Sequence, residues 1–447
     1  MVTAPRPSAG ESPAEVRERL RALIRRLESR PTRPRPAAGT EAYPQRPRPW
    51  TVTEVFSGAE RRETAHGPCW VIEVVYPLDH HVGRQPLHEV AHVSPQTYAL
   101  LAPEEGAEDA ALDDLLFIDI ESTGLGGAGA LAFLVATGRL ESRAGAQGFV
   151  LRQYLATSPP EEGAVLAAVL EDAAVTRGEA VLVSYNGRAF DAPMLDERAT
   201  MHRMRAGFDA LRHVDLLAPV RTGLRGAMPS CRLGMVETEV LGATRPTTEV
   251  GGADVPGWYF RFLRTGDARL LTPIVEHNAQ DVVALGAILA RFAALHAGAR
   301  EPEPLDAVAM GRLHAARGLH ESARGHLERA LDLLPPCGVR DDTLDRLATL
   351  HRRAGRRDLA LPLWREAAAR AAAPGGPTGG GIRPLVEVAK ALEHDRREFL
   401  EAIEVVDEAL RRAAALARLD PRGAARWREA LEVRRARLGR RAARVTA

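Results

Sequence analysis

The alternation of strand-like and helix-like segments between residues 115 and 296 constrains the fold of this chain more than any other feature. Residues 115–120 form a short apolar run typical of a buried strand, and residues 131–140 and 148–156 have the pattern of two further strands. A helix, a strand and two more helices are then indicated at 161–174, 181–186, about 193–205 and 274–295. We therefore predict a mixed α/β sheet flanked by helices.

Composition excludes several other classes of protein. A chain of 447 residues with 45% apolar and 27% charged residues is typical of a globular protein with two to four folding units. No uninterrupted apolar run approaches the ~20 residues of a membrane-spanning helix, and the first residues lack the apolar core of a secretory signal. Three widely spaced cysteines offer neither a disulfide framework nor a CxxC metal site. We expect a cytoplasmic protein without a membrane partner.

The segments around the α/β region, which we assign to residues 111–298, differ from it in character. Residues 1–50 combine an amphipathic helical pattern with a Pro/Arg-rich linker, and residues 51–110 have short strand-like patterns. Residues 304–447 are rich in Ala, Leu and Arg and have no strand pattern. The predicted order is an N-terminal helix and linker, a β-rich lead-in, an α/β domain and an all-α domain.

The all-α region contains an internal repeat. Gly318 and Gly355 lie 37 residues apart, close to the ~34 of tetratricopeptide-type helix pairs. After each glycine a small residue, a large one and another small one follow at the same spacing, with a weaker third copy: Ala323, Leu327, Ala330; Ala360, Trp364, Ala367; Ala402, Val406, Ala409. Coincidence between Ala-rich helices is the alternative. We predict TPR-like repeats, a surface on which a protein partner would bind.

Two carboxylates at the end of the first strand are the clearest chemical feature. Asp119 and Glu121 are two residues apart, so a strand directs both side chains to the same face. Carboxylates aimed together repel each other, and their stable state usually includes cations. Taken alone, such a pair also fits a solvated strand end.

Three further polar residues follow in mainly apolar surroundings. Asp191 comes after a strand and just before a helix, where an aspartate is often only a cap. His277 and Asp281 are four residues apart on the last helix and therefore share one of its faces. An exposed helix pair is the alternative, but charged groups beside a buried apolar stripe need partners.

In this order, the motifs resemble those of the DEDD exonucleases of the ribonuclease-H-like (DnaQ-like) superfamily, and more closely the YprB-type ribonuclease-H-like domain. The resemblance covers about residues 51–295, and this family commonly carries helical repeats after the nuclease domain. The segments that carry it are DIESTGL (119–125), GAGALAFLVATG (127–138), RQY (152–154), YNGRAFDAPML (185–195), HVDLLAPVR (213–221), CRLGMVETEVLG (231–242), DVPG (254–257) and HNAQDVVAL (277–285).

The resemblance implies a ribonuclease-H-like fold and a metal-dependent 3′–5′ exonuclease acting on a single-stranded DNA or RNA end. It implies that Asp119, Glu121, Asp191 and Asp281 hold two Mg²⁺ or Mn²⁺ ions, and that His277 orients or deprotonates the attacking water. His277 precedes Asp281 by four residues, the spacing of the subclass that uses tyrosine, whereas a catalytic histidine in these enzymes precedes it by five.

Other residues of the same motifs are implied to contact the nucleic acid. These residues are Thr123, Leu125 and Asn186. Leu125 lies where similar exonucleases wedge an apolar side chain against the terminal base. Asp215 is interpreted either as a group supporting the site or as a strand-end or cap aspartate.

Two other functions compete with that of an exonuclease. HEVAH at residues 88–92 matches the HExxH pattern of zinc proteases, but nearby Gly and Pro leave too little helix for that site. The stronger alternative is a catalytically idle nucleic-acid-binding or scaffold protein that acts through its helical repeats. With 60 basic and 59 acidic residues the formal net charge is +1, so a nucleic acid would have to bind to a local patch.

Overall fold

A mixed sheet of seven strands, in the spatial order β1-β2-β7-β6-β5-β8-β9, forms the framework of the site. Strand β5 pairs antiparallel with β6 and parallel with β8, and β8 pairs parallel with β9, whereas the remaining neighbours are antiparallel. The strands, with the separate pair β3-β4, are β1 (Glu60–Thr64), β2 (Gly67–Pro77), β3 (His81–Val82), β4 (Gln85–Pro86), β5 (Leu115–Ser122), β6 (Ala132–Arg143), β7 (Ala146–Leu155), β8 (Val181–Ser184) and β9 (Arg212–Asp215). The predicted mixed α/β sheet is confirmed.

The computed structural model describes residues 48–107, 109–124, 126–127, 129–143, 145–171, 178–245, 251–371 and 381–446. The helix and nearly all of the linker predicted within residues 1–50 lie outside these ranges, as does the predicted contact residue Leu125. Residues 49–447 belong to one compact unit.

Helices cover both faces of the sheet. They are α1 (Val52–Val55), α2 (Pro95–Leu101), α3 (Glu162–Leu170), α4 (Asp191–Met201), α5 (Leu217–Leu224), α6 (Leu233–Val236), α7 (Val255–Thr265) and α8 (Thr272–His296). Short 3₁₀ turns lie at Leu87–His92, Pro103–Glu105, Leu112–Asp114, Pro159–Glu161, Phe208–Ala210 and Ala268–Leu271, and α6 runs on into a π-helical turn at Glu237–Leu241.

Strand β5 is buried on both faces, and its side chains alternate between two apolar cores. Leu116 and Ile118 pack with residues of α3, α4 and α7, whereas Phe117 packs with Val282 of α8. This alternation follows from the two-residue period of a strand. It directs every second residue, including Asp119, toward the face that α8 covers.

Helix α8 is a long and largely buried helix of 25 residues. The helical stretch Ala268–His296 that includes it is long and apolar enough to cross a membrane by length and composition, but 78% of its most apolar window is buried inside the protein. The core helix of a soluble protein passes the same test, so this is weak evidence for a membrane span.

Strands β1 and β2, from the region predicted as a β-rich lead-in, belong to the same sheet. Strand β2 pairs with β7 along its length, from Trp70 opposite Leu155 to Pro77 opposite Gly148. Strand β1 then adds to the outer side of β2. The lead-in region therefore supplies one end of the sheet.

The C-terminal region is helical, and its helices pack in chain order. They are α9 (Pro304–Ala316), α10 (His320–Leu333), α11 (Gly338–Arg353), α12 (Arg357–Ala371), α13 (Ile382–Ala391), α14 (Phe399–Leu416) and α15 (Pro421–Thr446). Gly318 and Gly355 turn the first two hairpins with φ angles of 76° and 77°. All nine small and large residues of the repeat pattern are buried. The matching positions of the three copies are thus all core positions. The tetratricopeptide-type assignment stays a prediction.

Candidate active site

The four predicted metal ligands come from β5 and from two helices beside it. Asp119 and Glu121 extend from β5, with a β-bulge between Glu121 and Ser122. Asp191 is the first residue of α4, and Asp281 lies in the first half of α8. The charges of Asp191 and Asp281 raise the pKa of both β5 carboxyls, so the structure brings all four together.

Burial and mutual repulsion disfavour negative charge in this cluster. Burial, then the charges of Asp281 and Asp191, raises the pKa of Glu121 to about 8. Burial raises the pKa of Asp191 to about 7, against the lowering effect of backbone N–H donors at Ile120 and Asp191. The same burial, with the three neighbouring carboxylates, raises the pKa of Asp119 well above its usual range. A cation placed among such buried and mutually repelling carboxylates stabilises their ionised form.

Asp119 is oriented by buried amides from α8 and β7. Asn278 Nδ2 donates a hydrogen bond to Asp119 Oδ2 over 2.7 Å. Gln153 Nε2 donates to Asn278 Oδ1 over 2.9 Å and to the carbonyl oxygen of Val275 over 2.8 Å. Gln153 and Asn278 are 1% and 0% exposed, so water does not compete for these bonds. The amide pair therefore fixes the orientation of the Asp119 carboxylate.

Arg245, which follows the π-helical turn, brings a guanidinium group to the acidic cluster. Its Nε donates to Glu237 Oε2 over 2.6 Å, and the same guanidinium forms an ion pair with Asp281. Its NH1 lies 3.2 Å from His277 Nδ1. On the other side of that ring, His277 Nε2 lies 3.7 Å from Asp281 Oδ2 and 3.9 Å from Glu121 Oε1.

This contact determines the hydrogen-bonding role of His277. A guanidinium can only donate, so Nδ1 accepts from Arg245, and in the neutral ring the proton lies on Nε2. Nε2 is the nitrogen nearest to the carboxylates of Glu121 and Asp281. A general base needs a free lone pair toward the reacting water, so His277 can act as one at Nε2 only after Arg245 has moved.

The donor set fits a hard divalent cation such as Mg²⁺ or Mn²⁺, because all four predicted ligands offer carboxylate oxygens. With the side chains as they stand, no three or more His, Cys, Asp or Glu residues have metal-binding spacing in the part of the chain that the structure describes. Arg245 compensates the charge of Asp281 in this arrangement. A cation that takes Asp281 as a ligand therefore competes with Arg245 for this carboxylate.

The loop between β8 and α4 carries Asn186 and is held by Asp215. The Asp215 carboxylate accepts N–H bonds from Asn186 over 2.7 Å, from Leu217 over 3.0 Å and from Arg188 over 3.3 Å. Asn186 has a φ of 71°, a left-handed conformation that asparagine tolerates. Asp215 therefore acts as a cap for this turn, and its charge also raises the pKa of Asp191.

Thr123 closes the turn after β5. Its N–H donates to the carbonyl oxygen of Leu131 over 3.0 Å, and its Oγ1 accepts from the N–H of Leu131 over 3.0 Å. The hydroxyl thus stabilises the chain that follows Glu121. A contact of Thr123 or Leu125 with nucleic acid stays a prediction, and Leu125 lies outside the described residues.

The HEVAH segment has the wrong conformation for a zinc-protease helix. It lies in a 3₁₀ turn, and both His88 and His92 are exposed. Glu89 accepts a hydrogen bond from Gln85 over 2.8 Å and pairs with Arg300 over 2.9 Å. This geometry agrees with the interpretation of HEVAH as a coincidence.

Three residues at the site were not predicted from the sequence. Asn278 lies within HNAQD and Gln153 within RQY, and an amide in an otherwise apolar strand or helix is itself a signal for a buried hydrogen bond. Arg245 has no such signal, because its position depends on how the chain folds after α6.

Comparisons with known proteins agree with this architecture. A family model described as the RNase_H superfamily matches residues 116–293, which run from β5 to near the end of α8. The uncharacterized protein YprB of Bacillus subtilis (strain 168) is 30% identical over 384 residues, which cover 83% of this chain and 86% of YprB. The similarity to YprB therefore extends beyond the superfamily domain. On the strength of this coverage, the chain belongs to the YprB family of ribonuclease-H-like proteins.

Proposed function

We propose that this protein is a metal-dependent nuclease that removes nucleotides from the 3′ end of single-stranded nucleic acid. The observation that carries the proposal is the convergence of Asp119, Glu121, Asp191 and Asp281, where burial and then mutual repulsion raise the pKa of three of the carboxyls. Four adjacent carboxylates repel a phosphodiester, so a protein that only binds nucleic acid gains nothing from them. The 3′–5′ direction and the exonuclease subtype rest on the resemblance to DEDD enzymes.

In this proposal the four carboxylates hold two Mg²⁺ or Mn²⁺ ions. The chemistry that bound ions supply is a lowered pKa of the attacking water and a stabilised leaving 3′ oxygen. Asn278 keeps Asp119 in one orientation, which lowers the cost of assembling the ligand set.

Two further side chains act on the acidic cluster in this proposal. Arg245 neutralises Asp281 until a cation takes its position. Once Arg245 has moved, His277 is free to orient or deprotonate a water near Glu121 and Asp281.

The direct test is cleavage of single-stranded DNA and RNA oligonucleotides labelled at either end, with Mg²⁺, Mn²⁺ or EDTA. We expect metal-dependent release of single nucleotides from the 3′ end. Asp119→Asn should abolish cleavage and keep the unfolding temperature, because it removes a ligand oxygen at nearly constant shape. The matched control is Asp113→Asn, an exposed aspartate just before β5, which should cleave at the wild-type rate.

Two outcomes would contradict the proposal. Full activity of Asp119→Asn would refute the assignment of the site. Absence of cleavage under every metal, with binding to oligonucleotides intact, would support the alternative of a nucleic-acid-binding scaffold that uses its helical repeats.

A further inference from the structure

A groove of about 560 Å³ opens beside the loop that joins β8 to α4. We call it the arginine groove and define it by six of its lining residues, which are Tyr185, Asn186, Arg221, Arg225, Ser230 and Arg232. Helix α5 and the segment between α5 and α6 form its walls.

The arginine groove concentrates positive charge without matching negative charge. Arg221, Arg225 and Arg232 are exposed, and in the ranges that the structure describes their guanidinium groups form no ion pair with a carboxylate. Many other arginines of the protein are paired, as Arg291 is with Asp306 over 2.7 Å. Guanidinium groups that line a concave surface and have no ion pair with a carboxylate suit phosphate groups, which accept two parallel N–H bonds.

The wall that carries these arginines is held in place. Tyr185 donates from its hydroxyl to the carbonyl oxygen of Cys231 over 2.6 Å. Arg312, 5% exposed, donates from NH1 to the carbonyl oxygens of Gly223 and Arg225 over 3.0 and 3.1 Å. A wall fixed before a ligand arrives loses little conformational entropy on binding.

The arginine groove adjoins the loop that leads to Asp191 of the acidic cluster. Asn186 lines the groove, and the next residue, Gly187, lies against the carboxylate of Asp191. A Cβ added to Gly187 would lie 2.8 Å from Asp191 Oδ2 and 2.3 Å from Ser184 Oγ, so only glycine allows this close approach. The loop that carries Asn186 therefore lies between the groove and Asp191.

The remaining lining of the groove suits the other parts of a nucleotide. Leu217, Met228 and Pro229 line the groove with apolar side chains, and the half-buried ring of Tyr185 lines it as well. Aromatic and apolar surface beside positive charge is the usual composition of sites that bind single strands without sequence preference.

We propose that the arginine groove binds the sugar-phosphate backbone of a single nucleic-acid strand, away from the bond that is cleaved. This assignment rests on the proposed nuclease function, since the strand that it binds is the one proposed to be cleaved at the acidic cluster. Arg221, Arg225 and Arg232 contact phosphates and set affinity, and the groove does not select bases.

The test measures binding separately from cleavage, by fluorescence anisotropy of labelled 12-nucleotide DNA and RNA strands in EDTA over a range of salt concentrations. We expect the triple variant Arg221→Gln, Arg225→Gln, Arg232→Gln to bind ~30-fold or more weakly than wild type at low salt. The slope of log affinity against log salt should fall by about 0.7 for each arginine removed. The matched control is Arg264→Gln, an exposed arginine on α7 outside the groove, which should bind as wild type does.

A second variant separates charge from shape. Replacing the same three arginines by lysine should keep most of the salt slope and lose part of the affinity, because lysine keeps the charge but not the bidentate geometry. Circular dichroism melting of both variants checks that the fold is retained.

The outcomes for the groove and for the nuclease are distinct. Wild-type affinity and salt slope in the triple glutamine variant would refute the groove, whatever the cleavage assay shows, as would failure of the wild-type protein to bind either strand. Groove-dependent binding by a wild-type protein that cleaves neither DNA nor RNA would refute the nuclease proposal and support the groove.

Discussion

The side-chain amide of Asn278 donates a 2.7 Å hydrogen bond to the carboxylate of Asp119 and ties α8 to the end of β5. Its own oxygen is occupied by Gln153, so the amide is fixed from both sides. The helix that carries His277 and Asp281 is thereby aligned with the strand that carries Asp119. This amide therefore helps to align Asp119 with Asp281.

Asn278→Leu should therefore lower the rate of cleavage by a larger factor than it lowers the equilibrium constant of folding. The change removes the amide that donates to Asp119 and one of the two acceptors of Gln153. Loss of such a supporting partner typically costs about 10–100-fold in activity or metal affinity. The measurement is the initial rate of cleavage together with the Mn²⁺ dependence. Glu276→Ala, exposed on the same helix, is the control. A wild-type rate in Asn278→Leu would mean that Asp119 needs no support.

Arg245→Gln should strengthen the binding of Mn²⁺. The wild-type guanidinium competes with a cation for Asp281, so its removal should raise the affinity by about threefold to tenfold, as measured by isothermal titration calorimetry. In EDTA the same variant should lose about 3 kcal/mol in free energy of unfolding, because Glu237, 3% exposed, loses its ion pair with the Arg245 guanidinium. Unchanged Mn²⁺ affinity would show that Arg245 does not compete.

Stability should fall in acid through His314. This residue is 4% exposed, and the rings of His296 and His326 pack against it with centroid distances of 5.3 and 4.8 Å. Burial, then the charges of His326 and His296, lowers the pKa of His314 to about 4. In the unfolded chain, His314 takes up a proton near pH 6.5. The contribution of His314 to the free energy of unfolding is therefore complete above about pH 6.5 and is lost progressively down to about pH 4.

Urea unfolding at several pH values measures this loss, which we expect to reach about 2–3 kcal/mol for His314. His314→Gln should flatten the profile in that window, and His66→Gln, an exposed histidine, should leave it unchanged. A profile of equal steepness in His314→Gln would assign the acid sensitivity to other groups.

The two hairpin glycines should respond alike to substitution. Gly318 and Gly355 have φ angles of 76° and 77°, and an added Cβ would meet no atom within 4 Å at either. Alanine then costs only the left-handed backbone conformation, about 1 kcal/mol at each site. Gly325→Ala, inside α10 and equally open, should instead stabilise by up to about 1 kcal/mol. Unequal costs at Gly318 and Gly355, measured by urea unfolding, would contradict the equivalence of the two copies.

Much of the sheet could be predicted because its central strands are apolar runs bounded by polar turns. The predicted strand at 131–140 is found at Ala132–Arg143. Its last residues were missed because they are polar: Glu141 and Arg143 lie near the surface, where they form ion pairs with each other and with residues of β2 and β7. The spacing of apolar residues does not indicate a strand end that is stabilised by surface ion pairs and by continued pairing with β7.

The pairing of Asp119 with Glu121 could be predicted from the two-residue period of a strand, whereas the contacts of Asn278 and Arg245 could not. Asn278 reaches Asp119 only because α8 packs across β5 with Asn278 level with Asp119. Arg245 reaches Asp281 from a separate segment after α6. Contacts between segments far apart in sequence depend on tertiary packing, which local patterns do not encode.

The pairing of β2 with β7 determines how the protein can be dissected. A fragment cut at residue 111, where the α/β pattern begins, would lack β1 and β2 and would expose the hydrogen-bonding edge of β7. An unprotected edge of ten residues is a template for self-association, so such a fragment should aggregate in proportion to its concentration. The smallest soluble fragment that keeps the acidic cluster therefore begins before Glu60, more than fifty residues ahead of Asp119.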